Sequence, residues 1–579
     1  MDCLNMVGSG ALRIFLAATV IAAPMPLLAQ DVGPPQDYRR FLTAAQAVTP
    51  VSSLGDQVNL RNGALSFKQL DIELKGQGPD IRILRTFNVG ARQLVYVDTS
   101  GSRMGEWELA LPRLKTLASA RTFAVSNNSP RGWQVGLASD ARCTQMGPPG
   151  DVVPLKADPI RTEYWWAGYQ LIDESGNQED VLLRWGSDDT AGPAYVARTK
   201  SNWIITCLPT TSNGMPGEAF QATSPDGTRY WLDYLSYQDA PGIGASGAGS
   251  LTRSYASMLV TRAEDRFGNW VKYQYSSGIL SGISSSDGRS VVLTNDGTNI
   301  TSATVQSGSG NQVWTYGYTN GSLSSAVSPD GSKWSFAMAD LFRGDIGDAE
   351  ITGNCSTQNA VGGLSGAVKT GSITGPSGAT GVYSVQVLHG GRSYVPKFCW
   401  GYTLADISFV DIPRDTWSYA ITSKVVSGPG LVPSVWSYAY SPGNSSWEAD
   451  CAAGCTSTVW TEETHPDGTR RRTTFSNKYG ETENLKLKEE FFANSATSAM
   501  RVVDYTYAIS PMIESNSPYP WRSVGQDQSF RTNTRISERW TPVQSIRIRQ
   551  DGMEFSSVVN AYDRFARPLS VSKASSVIP

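Results

Sequence analysis

Two histidines occur in the 579 residues, His389 before Gly390-Gly391 and His465 before Pro466-Asp467-Gly468-Thr469. A hydrolytic triad needs a histidine held between a nucleophile and an acid. Both histidines stand where solvated turn residues would, and the sequence contains no G-x-S-x-G nucleophile elbow. Gly242-Ile243-Gly244-Ala245-Ser246-Gly247 fits G-x-G-x-x-G by letter, but the dinucleotide fingerprint needs a strand before it and a helix after it. More Gly and Ser follow instead, so this stretch reads as a flexible loop. No Gly-Lys pair exists, which removes a P-loop. Cys451 and Cys455 form one thiol pair near His465, whereas zinc commonly takes two paired sets; a local disulfide is the better reading. The sequence therefore predicts no catalytic set, no cofactor and no metal.

Carboxylates and tryptophans are the remaining candidates. Glycoside hydrolysis needs only two acids on facing elements. Glu106 and Glu108 alternate across Trp107 and would share one side of a strand, while Asp287, Asp330 and Asp467 sit in turns where they bond local backbone. No pair stands out from solvated surface acids. The 17 Trp include Trp165, Trp166, Trp270, Trp314, Trp334, Trp417 and Trp436. Exposed, they would stack on sugars; filling a β core is the commoner fate of strand aromatics.

The elements that must position these residues are strands. Between Asp265 and Met338, four runs (VKYQY, SVVLT, VWTYGY and KWSFAM) start 19, 23 and 20 residues apart. Aromatic and β-branched residues alternate in them, separated by Gly-, Ser-, Asn- and Asp-rich turns. The turn P-D-G-T/S recurs at Pro225, Pro329 and Pro466, Pro presetting φ and Asp-Gly completing the turn. A strand-and-turn unit of this size cannot bury its apolar face alone and must stack on its neighbours.

This stretch resembles the tyrosine-aspartate (YD) repeat of the Rhs proteins, which runs D-x-x-G-N, Y-x-Y, G-x-L-x-x-I and G-R. The matching residues are Asp265, Gly268, Asn269, Tyr273, Tyr275, Gly288 and Arg289. Near the end, Tyr562-Asp563-Arg564-Phe565-Ala566-Arg567-Pro568-Leu569 resembles Y-D-x-x-G-R-L, with Ala566 in place of Gly and Pro568 inserted. Residues 55–90 are similar to the segment that precedes the repeats in bacterial Rhs proteins. The resemblance implies sheets that wind into a hollow shell, enclosing a toxin or serving surface contact and carbohydrate binding. A long array of clean repeats, a self-cleaving core segment and a separate effector domain are missing from the pattern. The resemblance therefore supports an exported structural or binding role rather than toxin delivery. The end at Pro579, just after the Tyr562 signature, is the pattern expected of a truncated or split product.

The N-terminus carries Arg13, an apolar run from Ile14 to Ala23, and the small residue Ala29 before Gln30. This is the pattern of a secretory signal peptide cleaved between Ala29 and Gln30, too short to span a bilayer. We expect an exported protein, in the periplasm, at the cell surface or outside the cell. Six cysteines remain after cleavage, an even number suited to disulfides. Nearest-neighbour pairing gives Cys143–Cys207, Cys355–Cys399 and Cys451–Cys455. The charge is balanced at 49 basic and 52 acidic residues, so nothing points to nucleic acid.

The expected layout is a signal peptide (1–29), a Pro-rich lead with a short helix at 38–47 (30–54), and an N-terminal β domain (55–217). A hairpin-repeat region (218–340), a Gly/Ser-rich insertion (341–402) and a second degenerate repeat region (403–579) follow. The fold class is all-β, with irregular hairpin repeats forming an extended or coiled multistranded sheet. The expected function is an exported non-enzymatic scaffold with a glycan or cell-surface partner. The alternatives are a carbohydrate-active β protein and a carrier for a separately encoded polypeptide.

Overall fold

The computed structural model describes residues 52–89, 104–119, 141–147, 168–183, 195–245, 249–306, 310–342, 363–397, 399–402, 407–410, 414–480, 482–508, 541–563 and 567–578, and the short strand pairs 124–125/152–153 and 521–523/537–539. The Ala29–Gln30 junction, the 38–47 stretch, Trp165, Trp166 and Cys355 lie outside the described residues.

Two kinds of turn generate the architecture. In the first, at 224–228, 265–269, 285–289, 328–332 and 465–469, the first N–H bonds to the fifth carbonyl and the fourth N–H returns to the first carbonyl, at 2.8–3.2 Å. The fourth residue is always Gly, with φ between +81° and +92°, a conformation that costs an L side chain 1–2 kcal/mol or so. The second is the two-residue hairpin at Ser277-Gly278, Asn320-Gly321 and Asp551-Gly552, where both residues have positive φ. That geometry matches the right-handed twist of the strands it joins.

Strands joined this way pair with their sequence neighbours and build two sheets. The smaller is a four-stranded meander: β1 (Asp56–Val58), β2 (Leu65–Leu74), β3 (Ile81–Asn88) and β4 (Glu108–Leu109). The larger contains 27 strands among the described residues. It runs antiparallel from Leu182–Leu183 to Pro568–Val577, with a branch through Arg113–Ser119 onto the strand Gly249–Glu264. It is not closed into a barrel, so the all-β expectation holds.

The small sheet lies on one face of the large one. Leu65, Phe67, Ile72, Ile81, Ile83 and Phe87 enter a core with Val271, Ile283, Phe336, Ile373, Tyr419 and Phe475 of the large sheet. Period-2 alternation on β3 turns Ile81, Ile83, Arg85 and Phe87 inward. Trp107, fully buried, packs 5.5 Å from Phe87 and 5.3 Å from Phe336; deleting such a ring costs about 3–5 kcal/mol. A second core gathers Leu114, Tyr169, Phe220, Tyr230, Leu232 and Met258.

Two stretches differ from their sequence reading. Inside 341–402, Gly363–Thr374 and Thr380–Gly391 are twelve-residue strands of the large sheet. Glycines mask strand propensity there, but Gly371 and Gly381 sit where an added Cβ would meet Leu341 Cδ1 and Leu54 Cδ1 at 2.5 and 2.7 Å. The G-x-G-x-x-G segment is not a loop before Ser246: Ile243, Gly244 and Ala245 pair with Leu251, Ser250 and Gly249. The backbone ladder is indifferent to the missing side chains.

Candidate functional site

The polar residues that matter most lie along the seam between the two sheets. Arg85 is fully buried and reaches Asp71 through Nε and Nη2 at 2.6 and 2.8 Å. Its guanidinium lies 5.1 Å from the Trp107 ring and 5.0 Å from the Phe336 ring, and Tyr316 Oη of the large sheet donates to the same carboxylate at 3.0 Å. Burial alone would favour loss of the Arg85 proton, but Asp71 outweighs it and the pKa is raised. At the other end of the seam, Asp56 accepts from Tyr383 Oη at 2.8 Å and from Lys424 Nζ at 2.7 Å. Gly63 passes its carbonyl to Ile421 N at 2.9 Å, close enough to Tyr440 that a Cβ would fall 2.4 Å from its hydroxyl.

The residues that carry the YD resemblance close this seam. Asn269 Nδ2 donates to the Gln77 carbonyl at 3.0 Å, and Gln77 N donates to Asp287 Oδ2 at 3.0 Å. Arg289 bonds to the carbonyls of Leu74 and Pro79 and through Nε to Asp287 at 2.8 Å. The β2–β3 turn is thus clasped by two successive repeat turns. Asp265 orders the first by accepting from Phe267 N and Asn269 N at 2.8 and 2.9 Å, and Gly268 supplies φ +88°. Hydrogen bonds from Arg289 hold the Asp287 carboxyl well below the usual carboxylate range.

The Y-x-Y pairs have two separate tasks. The second tyrosine of each donates to a carbonyl of the preceding strand: Tyr275 to Val260, Tyr318 to Ile300, Tyr440 to Ile421 and Tyr507 to Lys486, at 2.6–2.7 Å. Tyr562 does the same with Val543 at 2.7 Å. Each of these carbonyls lies just beyond the residues that its strand pairs with the tyrosine's own strand, so the hydroxyl serves a carbonyl past the end of that ladder. The first tyrosine meets a carboxylate: Tyr316 with Asp71, Tyr438 with Glu463 and Tyr505 with Glu489. Tyr273 instead packs against the main core, its phenol pushed up by burial. Asp563 caps its own turn, accepting from Arg567 N at 2.9 Å, and Gly288 (φ +87°) completes the Asp287 turn.

Other candidates resolve differently. His465 stays at its turn, its side chain 38% exposed. His389 does not: it is buried in the strand Thr380–Gly391, Nε2 3.0 Å from Asp415 Oδ1 and its ring 5.1 Å from Trp417. The following glycines are extended rather than turning, and let the Gly443 backbone approach. Burial would raise the Asp415 carboxyl, but the bond to His389 and the charge of Arg414 outweigh it and lower the pKa. Glu106 accepts from Leu323 N at 2.9 Å, and Glu108 pairs with Arg113 at 2.7 Å, so the two acids serve different partners. Among the described residues no three His, Cys, Asp or Glu side chains group as metal ligands.

Cys143–Cys207 and Cys451–Cys455 are disulfides. Cys399 begins a short strand, and its expected partner Cys355 is outside the described residues. Trp314, Trp334 and Trp436 pack on the main core. Trp270 instead stacks with Arg262 and Lys272 at 5.7 and 4.6 Å, and Arg262 also covers Trp231 at 5.3 Å. No family model matches the sequence, and no curated protein matches it.

The Arg392–Glu483 pair was not legible in the sequence. Arg392 Nε lies 2.5 Å from Glu483 Oε1, both side chains at most 1% exposed. Beside it, Asn477 Nδ2 donates to the carbonyls of Gly391, Gly443 and Asn444 at 3.0–3.2 Å. Nothing local in R-S-Y-V-P or G-E-T-E-N announces a buried charge, because the partners are 91 residues apart.

Proposed function

We propose that the chain is an exported, non-enzymatic scaffold of the kind its resemblance to YD-repeat proteins implies, with the large sheet as a wall and the small sheet as its inner lining. The observation that supports this is the use of the signature residues. Asn269, Asp287 and Arg289 clasp the β2–β3 turn, and the tyrosines lock strand to strand, so groups that could do chemistry are engaged in holding the wall. Two disulfides suit an oxidising compartment, and no helix among the described residues is long and apolar enough to cross a membrane. The test is hydrolytic assay of the purified mature protein on glycan and peptide substrates. No turnover is expected; turnover abolished by Glu463→Gln or Glu489→Gln overturns the reading.

A glycan-binding role is the second reading, favoured by one observation. Trp231 and Trp270 lie outside the two cores, in a row with Arg229, Arg262 and Lys272. Binding on a glycan array that is lost in Trp270→Ala, with an unchanged circular dichroism spectrum, supports it.

A further inference from the structure

The disulfide Cys451–Cys455 lies outside both cores. Cys451 closes the short helical turn Glu448–Cys451 and is buried, its Sγ 3.2 Å from both Ser446 Oγ and the Trp447 carbonyl. Ala452, Ala453 and Gly454 are exposed, and Cys455 beyond them is half-buried. The approach from solvent to the sulfur bond is therefore from the Cys455 side.

The chain around the pair is held without that bond. Cys455 N donates to Tyr394 Oη at 3.0 Å, and Gly454 N donates to the Cys451 carbonyl at 2.9 Å. Val395 N donates to the Ser446 carbonyl at 3.1 Å and Glu448 N to the Val395 carbonyl at 2.9 Å, with Trp447 packed on Val395. A link across four residues restricts the unfolded chain little, so the fold does little to oppose its opening. Cys143–Cys207 differs on each count. It spans 64 residues, and Cys143 is fully buried in the second core. The Glu218 carboxylate accepts from Cys143 N at 2.9 Å, where it would repel a thiolate.

We propose that Cys455 is a covalent modification site that takes a small thiol from solution by disulfide exchange. The incoming thiolate attacks Cys455 Sγ and forms a mixed disulfide with it. The Cys451–Cys455 bond breaks, and its electron pair leaves with Cys451 Sγ. Ser446 Oγ, 3.2 Å away, donates to the new thiolate, which then takes a proton from water. The opposite attack is closed off, because Cys451 is only 7% exposed. The thiol must be small, because Cys455 is recessed beside Tyr394. Charge does not decide the outcome. Lys397 and Lys478 stand over the rings of Trp447 and Tyr394 and are matched by Glu448 and Asp450, all four exposed and screened by water and salt. Attack by the Cys451 thiolate on Cys455 Sγ expels the thiol and restores the original bond, so the site cycles without an added oxidant.

The test is incubation of the full mature chain with glutathione mixtures of rising reduced-to-oxidised ratio, then acid quench, alkylation and peptide mass analysis. A glutathione adduct on Cys455 with Cys451 free is expected, at ratios that leave Cys143–Cys207 closed and the circular dichroism spectrum unchanged. Single replacements separate the two sulfurs. In oxidised glutathione, Cys451→Ala should form its Cys455 adduct about tenfold or more faster than Cys455→Ala forms one on Cys451; thermal midpoints taken beforehand verify that both variants are folded. The proposal is overturned by an adduct on Cys451 in the parent, or by equal rates in the two variants. It is equally overturned by a pair that opens only together with Cys143–Cys207 or with loss of the spectrum, or by opening with reduced thioredoxin and none with glutathione.

Discussion

Lys424 Nζ lies 2.7 Å from Asp56 Oδ2, joining the first strand of the small sheet to a strand of the large one 368 residues later. Both side chains are less than 10% exposed, and Trp436 covers the ammonium at 4.8 Å. The attraction of such a pair is offset by the cost of drying two charges. Its value to the fold lies in selectivity: a small sheet docked in another register leaves both charges buried and alone.

The single substitution Asp56→Ala should therefore cost about 3–5 kcal/mol, because it strands the Lys424 ammonium. The double replacement Asp56→Leu with Lys424→Met should cost far less than either single change. Urea unfolding of the three variants measures this. Equal losses for single and double variants would show that the pair does not act as a unit.

The clasp on the β2–β3 turn gives a pH prediction. Asp287 has a folded-state pKa below its ordinary value of 3.8, chiefly through the Arg289 hydrogen bonds. A depressed carboxylate contributes stability that is present above the unfolded pKa and lost as pH falls through the folded one. Asp330 and Asp467 are lowered in the same direction, by Ser332 and Thr469, so acid unfolding should steepen below about pH 4. Asp287→Asn should flatten that acid limb, and hydrogen exchange at Gln77 N should speed up. An acid limb unchanged in this variant would place the titration elsewhere.

How far the sequence spoke depends on the range of the interaction. The turns at Pro225, Pro329 and Pro466 were legible because Pro-Asp-Gly carries its φ requirement locally, and the strands because alternation has period 2. Tyr273 and Tyr275 were visible as a repeat mark, but not their different tasks. Those tasks depend on which carbonyl or carboxylate the neighbouring strand brings within reach, and no residue type encodes that. His389 was misplaced because Gly390-Gly391 reads as a turn, when those glycines only make room for Gly443. The contact between Arg289 and Leu74 spans 215 residues, beyond the reach of any local pattern.

The strand-locking tyrosines predict a graded series. Tyr→Phe at 275, 318, 440, 507 and 562 removes a hydroxyl and little volume, leaving one carbonyl with its bond lost. Each should cost about 1–2 kcal/mol where the carbonyl stays dry and less where water can replace the donor. Tyr507, 8% exposed, should lie near the top, and Tyr562, beside the exposed terminal hairpin, near the bottom. Denaturant midpoints for the five variants give the order directly. A flat series near zero would mean that these carbonyls are already hydrated.

Reduction should discriminate between the two disulfides. Cys143 and Cys207 are 64 residues apart, Cys451 and Cys455 only 4. In the chain-entropy account, closing the longer loop restricts the unfolded chain by about 4 kcal/mol and the shorter by about 2 kcal/mol. Cys143 is also fully buried in the second core, beside Leu114 and Tyr169, so losing that link loosens packing as well. Replacing Cys143 and Cys207 together by Ala should lower the thermal midpoint more than replacing Cys451 and Cys455. Adding reductant to the first variant should then produce only the smaller remaining drop. If the short loop proves the more costly to open, its weight must come from the turn at Trp447–Cys455, where Cys455 N bonds to Tyr394 Oη at 3.0 Å, and not from chain entropy.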